Sequence, residues 1–540
     1  MLQKGKKAER IVYWAFLGII VLFFLGFVWI NLNPEQWYNY DIYADAMVAK
    51  HMLRDRSLFP SDWTFGNQLY VGATPVVAAL FYGFCKDTVL SLGLASCVMT
   101  LLTALSFLWC LGPFAGRKGK LMGLLCLMGG TIFGGTASSD PKGLQVFYTM
   151  ASYYSCYMVG ILLTLGLWLR LLYGKKPSGW VVVMILGGNL LLSMQSLREL
   201  LVLNLPLCAT AVLLYLPKWS RESKTEQKKG NLFAFAALGA GLLGVLLIKV
   251  LERLLPIHQI DVLADPQGGL VDRCFHNLRV LTEYMGLQKP TDLLSLCKLL
   301  SGLFCLTVAV LCTADFLKRK ERSALGALLI FAWLSVGAVF CAGVLVISTR
   351  HIYYFPWVLV VVFSMAYVGE RLFLKQWRRW VILLPLLGIS LSSLYFNYRL
   401  DIGRFRNREE NCRATAQQLL DRGITHVYYD GQWNFYGPQI AAYSHDRILM
   451  PAYFLNPGGW EQGDLLKHTD YLSSHSWYDL GSLDSSYLLL SEKTLAAMDE
   501  AYKEALLSHL ELQMQCTHLD VEFYFYSFDE ALFRDLNNEQ

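Results

Sequence analysis

The chain has 540 residues, of which 55% are hydrophobic and 16% charged, and its mean hydropathy is +0.38. That balance excludes an ordinary soluble protein and points to an integral membrane protein. The net charge of +5 sits in short basic clusters between apolar runs, so it does not indicate nucleic-acid binding.

Runs long enough to cross about 30 Å of hydrocarbon, roughly 20 residues each, occur near 11–31, 88–112, 121–137, 150–172, 180–197, 199–216, 231–254, 298–316, 324–347, 353–370 and 380–397. They predict a polytopic α-helical protein of about eleven spans. The first run is too long for a cleaved signal peptide, and Asn31-Leu32-Asn33-Pro34 offers no small-residue cleavage site, so it is expected to stay as a helix. Basic clusters at Lys4/Lys6/Lys7/Arg10, Arg117/Lys118/Lys120, Lys175/Lys176, Lys218/Arg221/Lys224/Lys228/Lys229, Lys318/Arg319/Lys320/Arg322 and Arg371/Lys375/Arg378/Arg379 all fall on one side of these spans. Cytoplasmic loops retain positive charge, so the N-terminus is expected inside and the tail outside.

The non-membrane mass then lies outside: a first loop at 32–87, loops near 138–149 and 256–296, a turn at 348–352, and a tail at 398–540. The inner connectors are short and contain no Walker-type loop, which argues against an ATP-driven pump. The boundaries expected are a transmembrane domain over 1–397 and an extracytoplasmic α/β domain over 398–540. In the tail, ENCRATAQQLLDRG reads as a helix closed by Gly423, and ITHVYYD as a strand. WNFYGPQIAAYS reads as a helix or loop, SYLLLSEKTLAAM as strand then helix, and ELQMQCTHL and VEFYFYSF as strands. The thirteen cysteines form no metal pattern. Cys412 and Cys516 are both in the tail, but spacing leaves their pairing open.

The first loop carries the most chemistry. If residues 37–56 are helical, Asp41 and Asp45 stand one turn apart on one face, behind the aromatic cluster Trp37-Tyr38-Asn39-Tyr40. A carboxylate held at headgroup level is partly desolvated, which tunes it toward general-base work. Asp55 and Asp62 read instead as solvated loop acids.

The segment Asp41-x-Tyr43-Ala44, with Ala49-Lys50-His51-Met52-Leu53 and then Pro60-x-Asp62-Trp63, resembles the type-C glycosyltransferases, which include protein O-mannosyltransferases, lipid A aminoarabinose transferases and oligosaccharyltransferases. The resemblance implies a multi-pass cell-membrane enzyme that moves a sugar from a polyprenyl-phosphate carrier to a glycan, lipid or protein acceptor outside the cytoplasm. By position, Asp41 is the catalytic base that it implies. The family often has a second acid beside the first, whereas Ile42 stands here, so Asp45 or another loop would have to complete a two-acid site. Asp140, in SSDPKG, is placed like the second acidic loop residue that some members use for metal or acceptor binding, and a divalent ion such as Mg or Mn would be an optional cofactor. Read alone, Asp140 is equally a turn residue before Pro141.

Two further groups suit a carrier phosphate. Arg198-Glu199 lies at the turn between two spans, and Arg350-His351 with Tyr353 opens another. A guanidinium there can grip phosphate with two parallel bonds, or it can simply snorkel to the interface. A polysaccharide or lipid transporter would have a similar number of spans, but matching halves with broken helices are not evident. A non-catalytic assembly protein of the cell envelope would account for the tail better than for the outer acids. A ligase or polymerase of surface glycans is the nearest enzymatic alternative.

Overall fold

A computed structural model describes residues 2–33, 40–132, 148, 154–215, 224–259, 268–319, 323–347, 349–371, 376–405, 409–430, 436–455, 466–468, 472–477, 486–518 and 521–528. Helices α1 (Leu2–Leu32), α2 (Tyr40–Asp55), α3 (Thr74–Cys85), α4 (Thr88–Leu111) and α5 (Arg117–Leu127) open the chain. They are followed by α6 (Ser155–Leu172), α7 (Gly179–Gln195), a π-helical turn at Leu200–Asn204 that runs into α8 (Leu205–Tyr215), and α9 (Lys224–Leu254). Next come α10 (Leu270–Tyr284), α11 (Leu293–Arg319), α12 (Ala324–Leu345), α13 (Pro356–Arg371) and α14 (Gln376–Phe405).

Among the described residues eight helices are long and apolar enough to cross a membrane, and α3, α7 and the 200–215 helix are shorter apolar ones. The chain is a multi-pass membrane protein. It departs from the sequence reading in three places. The first loop, expected over 32–87, contains the apolar helix α3, which starts at Thr74-Pro75 because a proline fits the first helical turn, where no amide donor is needed. The run expected to span 121–137 is helical only to Leu127 and irregular from there to Ile132. Ser390 and Ser393 of α14 donate to the carbonyls of Gly130 and Gly129 at 2.8 and 2.6 Å, and Ser301 of α11 donates to that of Thr131 at 2.6 Å. Irregular backbone inside the bundle is tolerable because neighbouring helices satisfy it. Finally, α14 continues to Phe405, past the boundary expected at 397.

At one end of the bundle Glu9 of α1 meets both Lys118 and, at 3.0 Å, Arg379, which come from two of the basic clusters. Close helix packing there and above depends on small residues: Gly93 of α4 lies against the Asn31 carbonyl of α1, where a Cβ would overlap it. The most enclosed span is α13, whose Val358–Ala366 stretch is wholly buried.

The tail forms α15 (Glu409–Asp421), α16 (Tyr436–Tyr443), α17 (Glu492–Ala496), α18 (Glu500–Leu507) and a six-stranded mixed sheet. Its strands are β3 (His426–Asp430), β4 (Ala452–Leu455), β5 (Leu466–His468), β6 (Ser486–Ser491), β7 (Leu510–His518) and β8 (Val521–Phe528), in the order β5-β4-β3-β6-β8-β7. A separate two-residue parallel pair, β1 (Thr64–Phe65) with β2 (His258–Gln259), ties the first loop to the segment after α9. Gly423 closes α15 at φ +74, a left-handed conformation that glycine adopts without penalty. No disulfide joins Cys412 to Cys516, and the Cys412 thiol is buried and donates to Gln439 Oε1 at 3.2 Å.

The tail is fastened to the first loop. Asp62, expected to be a solvated acid, accepts from Ser474 Oγ at 2.5 Å, from Ser476 N at 2.8 Å and from Ser476 Oγ at 2.9 Å. Burial opposes its charge, but these donors outweigh it and hold the carboxyl below its ordinary range. Lys50 of α2 reaches Asp446 Oδ2 at 3.2 Å and the His445 carbonyl at 2.9 Å, with His51 Nε2 3.3 Å from the same carboxylate.

Candidate functional site

The site forms where four segments meet at the end of the bundle that carries the sheet: the first loop at 68–72, the start of α6, the α7-to-π turn, and a 3₁₀ turn at His351–Tyr354. Gln195, the last residue of α7, organises it. Its carbonyl accepts from Leu69 N at 3.1 Å, its Oε1 accepts from Gly72 N at 3.2 Å, and its Nε2 donates to Tyr157 OH at 3.2 Å. A single amide side chain thereby docks the loop onto two spans, using both its donor and its acceptor.

Arg198 follows one turn later. Its guanidinium lies 4.8 Å from the Tyr154 ring centroid, 5.5 Å from that of Tyr157 and 5.7 Å from that of Tyr353, and its Nη1 donates to Gln68 Oε1 at 2.9 Å. Aromatic faces stabilise a cation where water is scarce, so the box holds a charged fork in place without neutralising it by a carboxylate. The structure therefore brings together Arg198 and Tyr353, two of the residues picked out from sequence. Gln68, Tyr154, Tyr157 and Gln195 were not picked out; the tyrosines of YTMASYYSCY and the two glutamines were visible, but nothing local distinguished them from ordinary interfacial side chains.

Glu199 is fully buried beside this box, near Gly160 of α6, and neither carboxylate oxygen has a hydrogen-bond partner among the described residues. A π-helical turn, Leu200–Asn204, follows it directly, and such turns recur at functional sites. His351 does not join the box. It contacts Glu283 of α10 at 2.5 Å, and burial of Glu283 is outweighed by His351 and Arg279, which together hold its carboxyl below the usual range. Arg350 is exposed, just ahead of the turn. Beside the His351–Glu283 pair a cleft runs into the bundle, lined by Thr131, Tyr284, Lys298, Ser301, Trp357 and Val361.

Asp45 is fully buried on α2, one helical turn after Asp41. The Asp41 side chain, Trp37 to Asn39, and Asp140 lie outside the described residues. Among the described residues no group of three or more His, Cys, Asp or Glu is arranged to hold a metal ion.

No family model and no curated protein matches the sequence. The fold does match solved structures. The crystal structure of ArnT from Cupriavidus metallidurans bound to undecaprenyl phosphate aligns over 97% of this chain and 99% of that one, with a TM-score of 0.55 at 12% identity. The chain has the same fold as this ArnT. The apo state of the same ArnT aligns over the same shares, with a TM-score of 0.55 at 13% identity. An archaeal oligosaccharyltransferase, AglB from Archaeoglobus fulgidus in complex with an inhibitory peptide and a dolichol-phosphate, covers 80% of this chain and 64% of its own, with a TM-score of 0.46 at 12% identity. The Arg198 box includes Gln68 of the first loop, the same loop whose Asp62 is fastened to the tail.

Proposed function

We propose that this chain is a membrane glycosyltransferase that moves a sugar from a polyprenyl-phosphate-linked donor to an acceptor, at the face of the membrane that carries the sheet. The observation that carries the reading is the Arg198 box: a guanidinium framed by three tyrosines at the junction of the first loop and three spans, in a chain that shares the ArnT fold. The ArnT of matching fold was crystallised with undecaprenyl phosphate, which supports a carrier of that chemical kind.

In this reading the N-terminus is cytoplasmic and the tail extracytoplasmic. The carrier phosphate sits against Arg198, with Arg350 at the exposed rim and Tyr353 between them, while the isoprenoid chain lies in the cleft beside Tyr284 and Trp357. The acceptor hydroxyl attacks the anomeric carbon, Asp41 takes its proton, and the bond from that carbon to the phosphate oxygen breaks to release polyprenyl phosphate. Arg198 stabilises the charge that gathers on the departing phosphate. Asp45 and Glu199 are assigned to substrate binding, Glu199 through a sugar hydroxyl, and Asp140 to an optional divalent metal. Residues 1–397 are assigned to the membrane domain and 398–540 to an extracytoplasmic α/β domain.

The test is transfer from a polyprenyl-phosphate sugar pool by purified variants at matched folding. Asp41→Asn is expected to lower turnover by roughly 10²–10⁴-fold, while Asp55→Asn, whose acid only pairs with the neighbouring Arg54, should leave it close to normal. Normal transfer by Asp41→Asn would remove the catalytic assignment. A reporter active only in the cytoplasm, fused after Gln540, should be silent; activity there would reverse the orientation.

A further inference from the structure

Helix α10 packs against the end of one span and the early turns of another. Its Asn277 is wedged against Gly343, two residues before the end of α12, and the turn after it, at Met285 and Gly286, abuts Gly302 and Lys298 near the start of the apolar part of α11. The middle of α10 is thus fixed at the end of α12, and the turn after it is packed against α11.

The helix has three distinct faces. Asn277 and Val280 are buried against the bundle. Asp272, His276, Arg279 and Glu283 recur at helical spacing on a charged face. Leu270, Val271, Phe275 and Leu278 form the third, an exposed apolar stripe on which Phe275 is 68% accessible. After a short link the chain enters α11, a helix long and apolar enough to cross the membrane, on which Leu293, Leu296, Leu300 and Leu303 are exposed.

We infer that α10 lies in the plane of the bilayer, with Phe275 and its neighbours seated at the boundary between headgroups and acyl chains, and that the leaflet thereby holds the 349–354 segment of the site in place. A lipid surface fits because α10 packs at the end of the span α12, because the link after it leads directly into α11 with its exposed leucines, and because a charged face flanks the apolar one, as in helices that lie in the interface. The link to the site is direct. Asn277 Oδ1 accepts from the Thr349 hydroxyl and from Tyr354 OH, the latter at 3.0 Å, and Glu283 holds His351, so the segment bearing Tyr353 is fixed to α10 on both sides of the Arg198 contact.

The experiment needs no sugar donor, so it stands or falls apart from the transfer reading. Hydroxyl-radical footprinting of the full chain in lipid nanodiscs should oxidise His276 freely and Phe275 several-fold more slowly than its intrinsic reactivity predicts. Equal, unprotected oxidation of both would overturn the bilayer contact. Hydrogen exchange then tests the coupling: with Phe275→Glu and Leu278→Glu combined, the amides of 349–354 should exchange several-fold faster, whereas Phe275→Trp, which keeps the face apolar, should exchange like the parent. An unchanged rate in the glutamate variant, with α11 and α12 still protected, would overturn the link between leaflet and site.

Discussion

Arg198 donates through Nη1 to Oε1 of Gln68 at 2.9 Å, joining a span terminus to a loop 130 residues earlier in the chain. Together with the three tyrosine rings, this bond fixes where the guanidinium points, and an oriented fork grips a phosphate with less ordering cost than a free one.

Gln68→Leu should therefore act on both stability and donor use. Loss of the acceptor leaves a desolvated donor, at a cost of about 1–3 kcal/mol, and the KM for the lipid-linked sugar should rise. Thermal unfolding and initial rates on the same preparation check this. A variant with normal Tm and normal KM would show that the box does not depend on Gln68.

The Asp446 carboxylate, buried between Lys50 and His51, should make docking of the tail pH-dependent. Burial opposes its charge, but the His51 and Lys50 contacts outweigh burial and hold its pKa below the ordinary carboxylate value. Because the folded pKa is depressed, this stabilisation is present above the unfolded value, about 3.9, and is lost as pH falls through the folded one. Proteolytic release of the tail should accelerate only in strong acid for the parent. In Asp446→Asn it should already be fast at neutral pH, with a loss of about 3 kcal/mol from breaking a buried pair.

Glu199→Gln should fold at least as well as the parent, since a buried carboxylate without hydrogen-bond partners among the described residues is replaced by a neutral group of the same shape. A fall in donor or acceptor affinity at unchanged Tm would then assign Glu199 to the substrate. Unchanged affinity would leave it a purely structural group.

Gly93→Ala should cost roughly 1–3 kcal/mol or more, because the added methyl meets the Asn31 backbone carbonyl, which cannot rotate away as a side chain would. Lower Tm and lower yield of folded protein in detergent are the expected readouts. In contrast, Gly388→Ala has open space around its Cβ position and should be neutral.

Much of the fold was legible in particular residues. The apolar runs at 88–112 and 324–347 correspond to α4 and α12, and Gly423 marks the end of α15, because hydrophobic periodicity and cap chemistry are local properties. The break after Leu127 was not legible. Its run is as apolar as a spanning helix, and groups outside it satisfy the irregular backbone: the Tyr148 hydroxyl and, far along the chain, serines of α11 and α14. Likewise Asp62 looked like a solvated acid because nothing near it in sequence shows that Ser474 and Ser476 come to meet it.

The sequence by itself determined the solvent of this protein and the chemical types at its site: apolar runs of spanning length, basic clusters between them, and an arginine next to a glutamate at a turn. Tertiary structure alone decided that Arg198, not Arg350, is the enclosed cation, that Gln68 and Gln195 hold the loop, and that Asp446 clasps the tail. The physical reason is range. Hydropathy and helix periodicity act within a few turns, whereas a ring of tyrosines around a guanidinium exists only after helices separated by more than a hundred residues have packed side by side.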